Sequence, residues 1–333
     1  MTIATPQAKL EVGAGLILYA YLPLSAHVPS TIEVYYASLL LDGTYGQFGM
    51  HVEPRVRDTK LRPFYTSNVW IEEAYAYVDW EPFFIKVGKA YSRLGLFWDN
   101  SFYGNLQSFD GLKLDPDIGI SAEGRVGARF GLAFWGQFFI DGRTNISLDG
   151  RDTISIPGAS RRNMAVAQIE PFVRLGSQSI VKLGLSAEYF RAELPEEEHD
   201  VFRIAEHVVI VVEGWQAWAE FLLQHGQSVT DFPYPGTPAT ATTPAIPGRA
   251  SAHNRYLLLG TEYTFHGLVG RYNFSLARYD DVDVTEWIHE PGLGFLINSQ
   301  FSALAEYVLW KRSAPEGETT FDSSVNLTLN AHF

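Results

Sequence analysis

The histidines are the residues of this chain best suited to metal or acid–base chemistry. There are nine of them and no cysteine, so disulfides and thiolate metal sites are excluded. Five of the histidines could bind a metal by residue type, but they show no His-x-x-x-His or similar metal-binding spacing: His51, His207, His225, His266 and His289. The sequence therefore predicts no metal centre and no cofactor.

Clustered carboxylates are the second chemical feature. Asp110, Asp115 and Asp117 lie close together and offer oxygen ligands of the kind that Ca²⁺ takes, although a purely electrostatic role is favoured. No Gly-x-Ser-x-Gly elbow and no phosphate-binding loop occurs, and His225–Ser228 is too ordinary a stretch to indicate a hydrolase. We expect a protein that is not an enzyme.

The last nine residues show what positions the polar side chains. In 325–333, Val325, Leu327 and Leu329 alternate with Asn326 and Thr328, and the chain ends on an aromatic residue. Because side chains alternate across a strand, this segment has one apolar and one polar face. The pattern predicts either a soluble sheet or a membrane strand between lipid and a wet interior.

The same alternation repeats along the whole chain. It predicts about sixteen strands, joined by seven tight turns that alternate with eight longer connections. The predicted tight turns are 42–46, 79–82, 124–125, 176–178, 213–214, 266–267 and 298–300. An even number of antiparallel strands with short turns at one rim and long loops at the other is typical of an outer-membrane β-barrel. A soluble all-β sandwich or propeller is the alternative.

Composition fits the barrel. Aromatic residues make up 14 % and charged residues 19 % of the chain, and no stretch approaches the roughly 18 apolar residues of a membrane-spanning helix. The net charge of −13 argues against nucleic acid as a partner. The N-terminal residues lack the basic and apolar segments of a signal peptide, so an exported protein would be represented by its mature form.

Aromatic residues concentrate near the predicted strand ends, as in the girdles of membrane barrels. The residues assigned to these girdles are Trp70, Tyr77, Trp80, Trp135, Tyr189, Trp215, Trp218, Trp287 and Trp310.

The stretch from Val87-Gly-Lys89 through Leu94-Gly-Leu96 to Asp110-Gly-Leu-Lys-Leu-Asp115 resembles general and phosphate-selective bacterial porins. The resemblance implies one closed transmembrane barrel over 1–333, with short periplasmic turns and long external loops. It also implies that the third loop, here 92–108, folds inward as a constriction. Trp98, Phe102 and Tyr103 would pin this loop to the wall.

The expected pore-lining residues carry both signs of charge. They are Glu53, Arg55, Arg93, Asp99, Asn100, Asn105, Asp110, Lys113, Asp115, Asp117, Arg129, Arg174, Lys182 and Glu188. Phosphate-selective members of the family carry ladders of arginine, and this chain departs from that pattern. Its acidic balance favours a weak preference for cations.

The sequence thus predicts an outer-membrane porin for passive diffusion of small hydrophilic solutes and ions in a Gram-negative bacterium. By resemblance, Phe333 would be the signal read by the barrel-assembly machinery, and the protein would form a homotrimer in contact with lipid. Asp280, Asp281 and Asp283 would share divalent ions with lipopolysaccharide or form a solvated loop. The alternatives are a substrate-specific sugar or anion channel, a soluble secreted carbohydrate-binding protein and a barrel enzyme.

Overall fold

The fold is a closed antiparallel β-barrel of sixteen long strands with one short additional strand. The computed structural model describes residues 2–5, 7–24, 30–58, 68–96, 116–141, 160–193, 197–226, 251–313 and 319–333. Among these residues, no helix is long and apolar enough to cross a membrane. The only helical turn described is a single 3₁₀ turn at Asp280–Val282.

The strand bounds follow the sequence periodicity. In chain order they are β1 Thr2–Ala4, β2 Ala8–Pro23, β3 Thr31–Tyr45, β4 Phe48–Val56, β5 Val69–Trp80, β6 Phe83–Ala90, β7 Asp117–Val126, β8 Phe130–Asp141, β9 Ser160–Arg174, β10 Ser179–Glu193, β11 Glu198–Val212, β12 Trp215–His225, β13 His253–Phe265, β14 Leu268–Tyr279, β15 Val284–Leu296, β16 Phe301–Ser313 and β17 Thr319–His332.

Closure is made between the last strand and the first long one. β17 pairs with β2 from Ser324 opposite Pro23 to His332 opposite Gly15. Beyond that point Phe333 exchanges both backbone hydrogen bonds with Ala14, at 2.8 and 2.9 Å. β1 then pairs with β2 further along, with Thr2 opposite Glu11. The predicted all-β closed barrel is confirmed.

Seven tight connections alternate with longer ones, as predicted. They fall at 46–47, 81–82, 127–129, 175–178, 213–214, 266–267 and 297–300. Three predicted turns overlap strands. Asp79 and Trp80 lie within β5, where they pair with β6. Gly124 and Arg125 lie within β7, where they pair with β8, and Asp42 lies within β3, opposite His51 of β4.

The two faces of each strand differ in exposure. On β12, Phe221 and Leu223 are exposed outward, whereas Glu220 and Gln224 alternate with them and are buried. The expectation of a polar inner face holds only in part. Leu222 also faces inward and is buried in an apolar cluster, so the interior of this wall is packed.

Exposed aromatic rings flank the tight turns. They belong to Tyr45, Phe48, Trp80, Phe83, Phe130, Trp215, Phe265, Phe295 and Phe301. Four residues predicted for the girdles lie on the inner face instead. Tyr77 neighbours the inward-facing Tyr75, and Trp135 donates to Glu123 at 2.7 Å. Trp70 and Trp218 are each 3 % exposed. Inward-facing positions on β5 and β12 bury both indoles, so their large apolar surface fills the barrel instead of meeting lipid.

Candidate functional site

A short segment crosses the inside of the barrel and divides its inner surface. Residues 91–96, here called the strap, follow directly after β6. The Tyr91 hydroxyl donates to Glu72 on β5, and the backbone N–H of Arg93 donates to Gln137 on β8 at 2.7 Å. The next residues reach further around the wall. The N–H of Gly95 donates to Ser186 Oγ on β10 at 2.8 Å, and that of Leu96 to Glu220 Oε2 on β12 at 2.9 Å.

Six consecutive residues that bond in turn to β5, β8, β10 and β12 must run across the lumen. The inward fold predicted for the third loop is thus confirmed for the strap. The rest of the predicted constriction segment, 97–108, lies outside the described residues. So do Asp99, Asn100, Asn105, Asp110, Lys113 and Asp115, together with the pinning residues Trp98, Phe102 and Tyr103.

The strap makes one wall of the barrel dry. Leu94 is fully buried against Ala205, Leu222 and Tyr256. Leu96 packs in a second cluster with Trp218 and two further side chains, Val209 and Leu258. Apolar contacts of this kind exclude water, so β11 to β14 present a packed surface where the strap covers them. We call this the covered wall.

Ionic pairs join the covered wall to β9 and β10, and all of their side chains are buried except that of Lys182, which is about one-third exposed. The Arg203 guanidinium lies 2.7 Å from Glu188 Oε1, and both side chains are fully buried. Glu170 contacts His207 at 3.1 Å and Lys182 at 3.2 Å. Such pairs hold neighbouring strands together, because an unpaired charge at these positions would bear the full cost of desolvation.

The opposite side of the barrel remains polar and partly exposed. Its inner face, formed by β3 to β7, is here called the charged wall. Arg55 lies between two carboxylates, with Nε 2.8 Å from Glu53 and Nη1 3.0 Å from Glu72. Lys86 lies 3.1 Å from Glu123, and these two side chains are about one-fifth exposed. Partial exposure indicates that these charges border the open part of the lumen.

Carboxylates outnumber cations in this group. Around Arg55 and Lys86, five acidic side chains, Asp42, Glu53, Glu72, Glu73 and Glu123, lie among three basic ones, Arg55, Lys86 and Lys89. Five minus three leaves an excess of two negative charges. A wall with this excess concentrates cations from solution.

A row of rings runs along the same wall. The His51 imidazole stacks on Tyr75, with centroids 5.1 Å apart and planes at 23°. Tyr75 neighbours Tyr77 at 6.2 Å, and Tyr77 neighbours Phe84 at 4.7 Å. Lys86 Nζ lies 5.1 Å from the Tyr75 centroid. These rings offer flat apolar surface next to charge.

His51, Glu53 and Glu73 converge on this wall. One ligand atom from each lies within 4.8 Å of the other two. Cross-strand pairing explains the convergence, because His51 is opposite Tyr75 and Glu53 is opposite Glu73. A register shift between Glu53 and Pro54 brings both Glu72 and Glu73 into the interior.

The remaining predicted site residues occupy several environments. Asp117 is buried at 3.5 Å from Arg161. The Arg93 guanidinium lies 5.3 Å from the Trp135 ring centroid. Arg129 is exposed in the tight turn at 127–129, and Arg174 is exposed at the end of β9. These two therefore lie at the short-turn rim, away from the charged wall, because the strands end there.

Sequence reasoning missed Asp42, Glu72 and Glu73. Asp42 was assigned to a turn because Asp-Gly is a strong turn signal, yet the strand continues to Tyr45. The sequence does contain a signal for Glu72 and Glu73. Pro54 lies on the neighbouring strand, and a proline cannot donate a backbone hydrogen bond to a sheet, so it favours a bulge beside this acidic pair.

No family model and no curated protein matches the chain. OmpF of Salmonella typhi, solved in complex with daunomycin, aligns over 100 % of both chains with a TM-score of 0.68 and 10 % identity. The outer membrane channel DcaP of Acinetobacter baumannii aligns over 99 % of both chains (TM-score 0.65, 11 % identity). An anion-selective porin from Comamonas acidovorans aligns over 98 % of this chain and 100 % of its own (TM-score 0.64, 10 % identity). The chain therefore has the fold of the sixteen-stranded outer-membrane porins.

Proposed function

We propose that this protein is an outer-membrane channel through which small hydrophilic solutes and ions diffuse passively. The observation that carries the proposal is the contrast between the two surfaces of the closed barrel. Large apolar side chains such as Leu183 and Leu293 are exposed outward, and charged side chains are partly exposed inward on the charged wall. Barrels of sixteen to eighteen strands leave an aqueous channel.

The proposed selectivity is a weak preference for cations. It rests on the excess of carboxylates over cations on the charged wall and on the net charge of −13. One of the structural neighbours is an anion-selective porin, so the fold itself does not decide the sign of the ion selectivity. Charge at the lumen surface decides it.

Single-channel recording in a planar bilayer under a KCl gradient tests both parts. We expect ohmic current steps and a reversal potential of the sign that K⁺ permeation produces. A bilayer that stays silent with demonstrably folded protein would overturn the open channel. A reversal potential of the opposite sign would overturn the cation preference alone.

A second candidate is a channel specific for sugars. The observation that favours it is the row of rings at His51, Tyr75, Tyr77 and Phe84, because sugars stack their apolar faces on aromatic surface. Titration of the ion current with maltooligosaccharides distinguishes the two functions. A specific channel shows saturable block, whereas a general one shows none.

The proposed location of the protein is the outer membrane of a Gram-negative bacterium. The exposed aromatic rings at the short-turn rim suit a membrane interface. The same proposal includes a homotrimer whose subunits contact one another through outward apolar strands. It also includes lipopolysaccharide at the long-loop rim and recognition of Phe333 by the barrel-assembly machinery. Mass determination in detergent tests the trimer, and a monomer would contradict it.

A further inference from the structure

Three potential metal ligands converge on the charged wall of the barrel. They are a ring nitrogen of His51 and one oxygen each from Glu53 and Glu73, all within 4.8 Å of one another. Ligands about 2.1 Å from a tetrahedral zinc ion are roughly 3.4 Å apart, so small side-chain rotations complete the geometry. One nitrogen and two carboxylate oxygens form a donor set that Zn²⁺ and related ions accept.

A fourth residue orients the histidine. His51 Nδ1 lies 2.7 Å from Asp42 Oδ1. A carboxylate accepts hydrogen bonds, so in the neutral imidazole the proton sits on Nδ1 and Nε2 carries the lone pair that a metal would take. Carboxylate–histidine–metal arrangements of this kind fix the ring and raise the basicity of the ligand nitrogen. Asp42 lies on β3, next to β4, and is not itself one of the three proposed ligands.

Neighbouring charges leave room for a divalent cation. Arg55 Nε binds Glu53 Oε1, which leaves the second carboxylate oxygen of Glu53 available. Lys86 lies 3.1 Å from Glu123 and also acts electrostatically on Glu73, and the Lys89 ammonium donates to the Ile71 carbonyl at 2.7 Å. The five carboxylates still outnumber these three cations, so a bound divalent cation would offset the remaining negative excess.

Access comes from the lumen. The side chains of His51 and Glu53 are each 11 % exposed, and that of Asp42 is 40 % exposed. By contrast, Arg203 and Glu188 on the covered wall have no exposure. An ion travelling through the barrel can reach the first group and not the second.

We infer that His51, Glu53 and Glu73 form a site for a divalent transition-metal ion on the inner wall, with Asp42 as a positioning residue. Three protein donors leave one coordination position open toward the lumen, as in zinc sites that keep a water ligand. The site gives the channel wall a bound positive charge when it is filled. It goes beyond the proposed diffusion of solutes, and its binding test does not depend on conductance.

Calorimetric titration of the purified barrel with ZnCl₂ in detergent tests the site directly. We expect about one Zn²⁺ per chain. Because each change removes one ligand, His51→Asn and Glu73→Gln should each weaken binding at least about tenfold. Asp42→Asn replaces the carboxylate that polarises and orients the imidazole by a neutral amide, and this should weaken zinc binding about tenfold.

A matched histidine change controls for unspecific zinc binding. His266→Asn alters an exposed residue of a tight turn, and Asn tolerates the positive φ of 50° found there. It should leave the zinc titration unchanged. Circular dichroism verifies folding, and Asp42→Asn, which keeps every ligand, serves if a ligand variant misfolds. Absence of saturable binding to the wild type would overturn the site, and so would zinc binding by His51→Asn and Glu73→Gln that is as tight as that of the wild type.

Conductance with and without Zn²⁺ separates this inference from the proposed function. In an active channel, filling the site should reduce cation current, and Mg²⁺ at the same concentration should not, since imidazole is a poor ligand for it. Zinc binding by a silent protein would refute the channel and keep the site. A protein that conducts ions but does not bind zinc would refute the site and keep the channel.

Discussion

The Arg203 guanidinium and the Glu188 carboxylate meet 2.7 Å apart on neighbouring strands, with neither side chain exposed. Arg203 also donates from Nε to Gln224 at 2.7 Å, so it ties β10, β11 and β12 together. Glu188→Gln should lower the free energy of unfolding by about 3–5 kcal/mol, because it breaks a fully buried ion pair by neutralising one partner. Urea unfolding followed by tryptophan fluorescence measures the change.

An exposed pair on the same hairpin provides the control. Arg191 lies 3.5 Å from Asp200, and both side chains are about half exposed or more. Arg191→Gln should leave the urea midpoint unchanged, since solvent screens such pairs. Equal effects of the two substitutions would show that burial does not set the strength of the Arg203–Glu188 pair.

Gly95 fixes the strap against the covered wall. It has φ +63°, and a Cβ there would approach Glu220 Oε1 to 2.5 Å. Gly95→Ala should displace the strap from Glu220 and raise both the mean single-channel conductance and its noise. Gly46→Ala is the matched control, because Gly46 has φ +58° and open space around it. It carries similar backbone strain and should keep wild-type conductance; identical recordings from both variants would contradict the anchoring role.

Glu123 should contribute to the sign of ion selectivity. It neutralises Lys86 at 3.1 Å on the charged wall. Glu123→Gln uncovers the Lys86 charge, so the reversal potential in a KCl gradient should move toward anion permeation. Glu206→Gln is the control, because Glu206 is exposed on the outward face of β11. A shift of the same size in both variants would mean that selectivity does not arise on this wall.

Asp281 should make the long-loop rim sensitive to acid. Partial burial raises the pKa of its carboxyl, but hydrogen bonds from the N–H groups of Ala252 and His253 and from the His253 ring lower the pKa below its usual value of 3.8. A lowered pKa in the folded state adds stability above pH 3.8, and this stability is lost as pH falls through the folded value.

The melting temperature in detergent, measured against pH, checks this. Asp281→Asn should melt below the wild type at neutral pH, and the difference should vanish in strong acid. Asp283→Asn, at a carboxylate that pairs with Arg278, serves as the comparison in the same loop. If the difference in melting temperature between the wild type and Asp281→Asn stayed constant down to the lowest pH, the lowered pKa of Asp281 would be contradicted.

The barrel could be predicted from sequence because alternation in each strand is a local property. Val325 to Phe333 already shows the two faces, and the alternation of short and long connections gives strand number and closure. Where a bulge shifts the register, alternation alone does not assign the faces of a strand. The shift between Glu53 and Pro54 changes which side chains face inward, and only pairing with β5 reveals it. The packed interior of β11 to β14 was missed because Leu94 and Leu222 meet over a long sequence separation.

The strap has a mechanical consequence. A hollow cylinder yields most easily by flattening, because its wall bends without stretching. Hydrogen bonds from Arg93 to Gln137 and from Leu96 to Glu220 tie points of the wall that are far apart around its circumference. This strut resists flattening along its own direction and leaves the perpendicular direction more compliant. Lateral pressure from surrounding lipid should therefore deform the charged wall first, so the width of the open passage depends on the membrane in which the barrel sits.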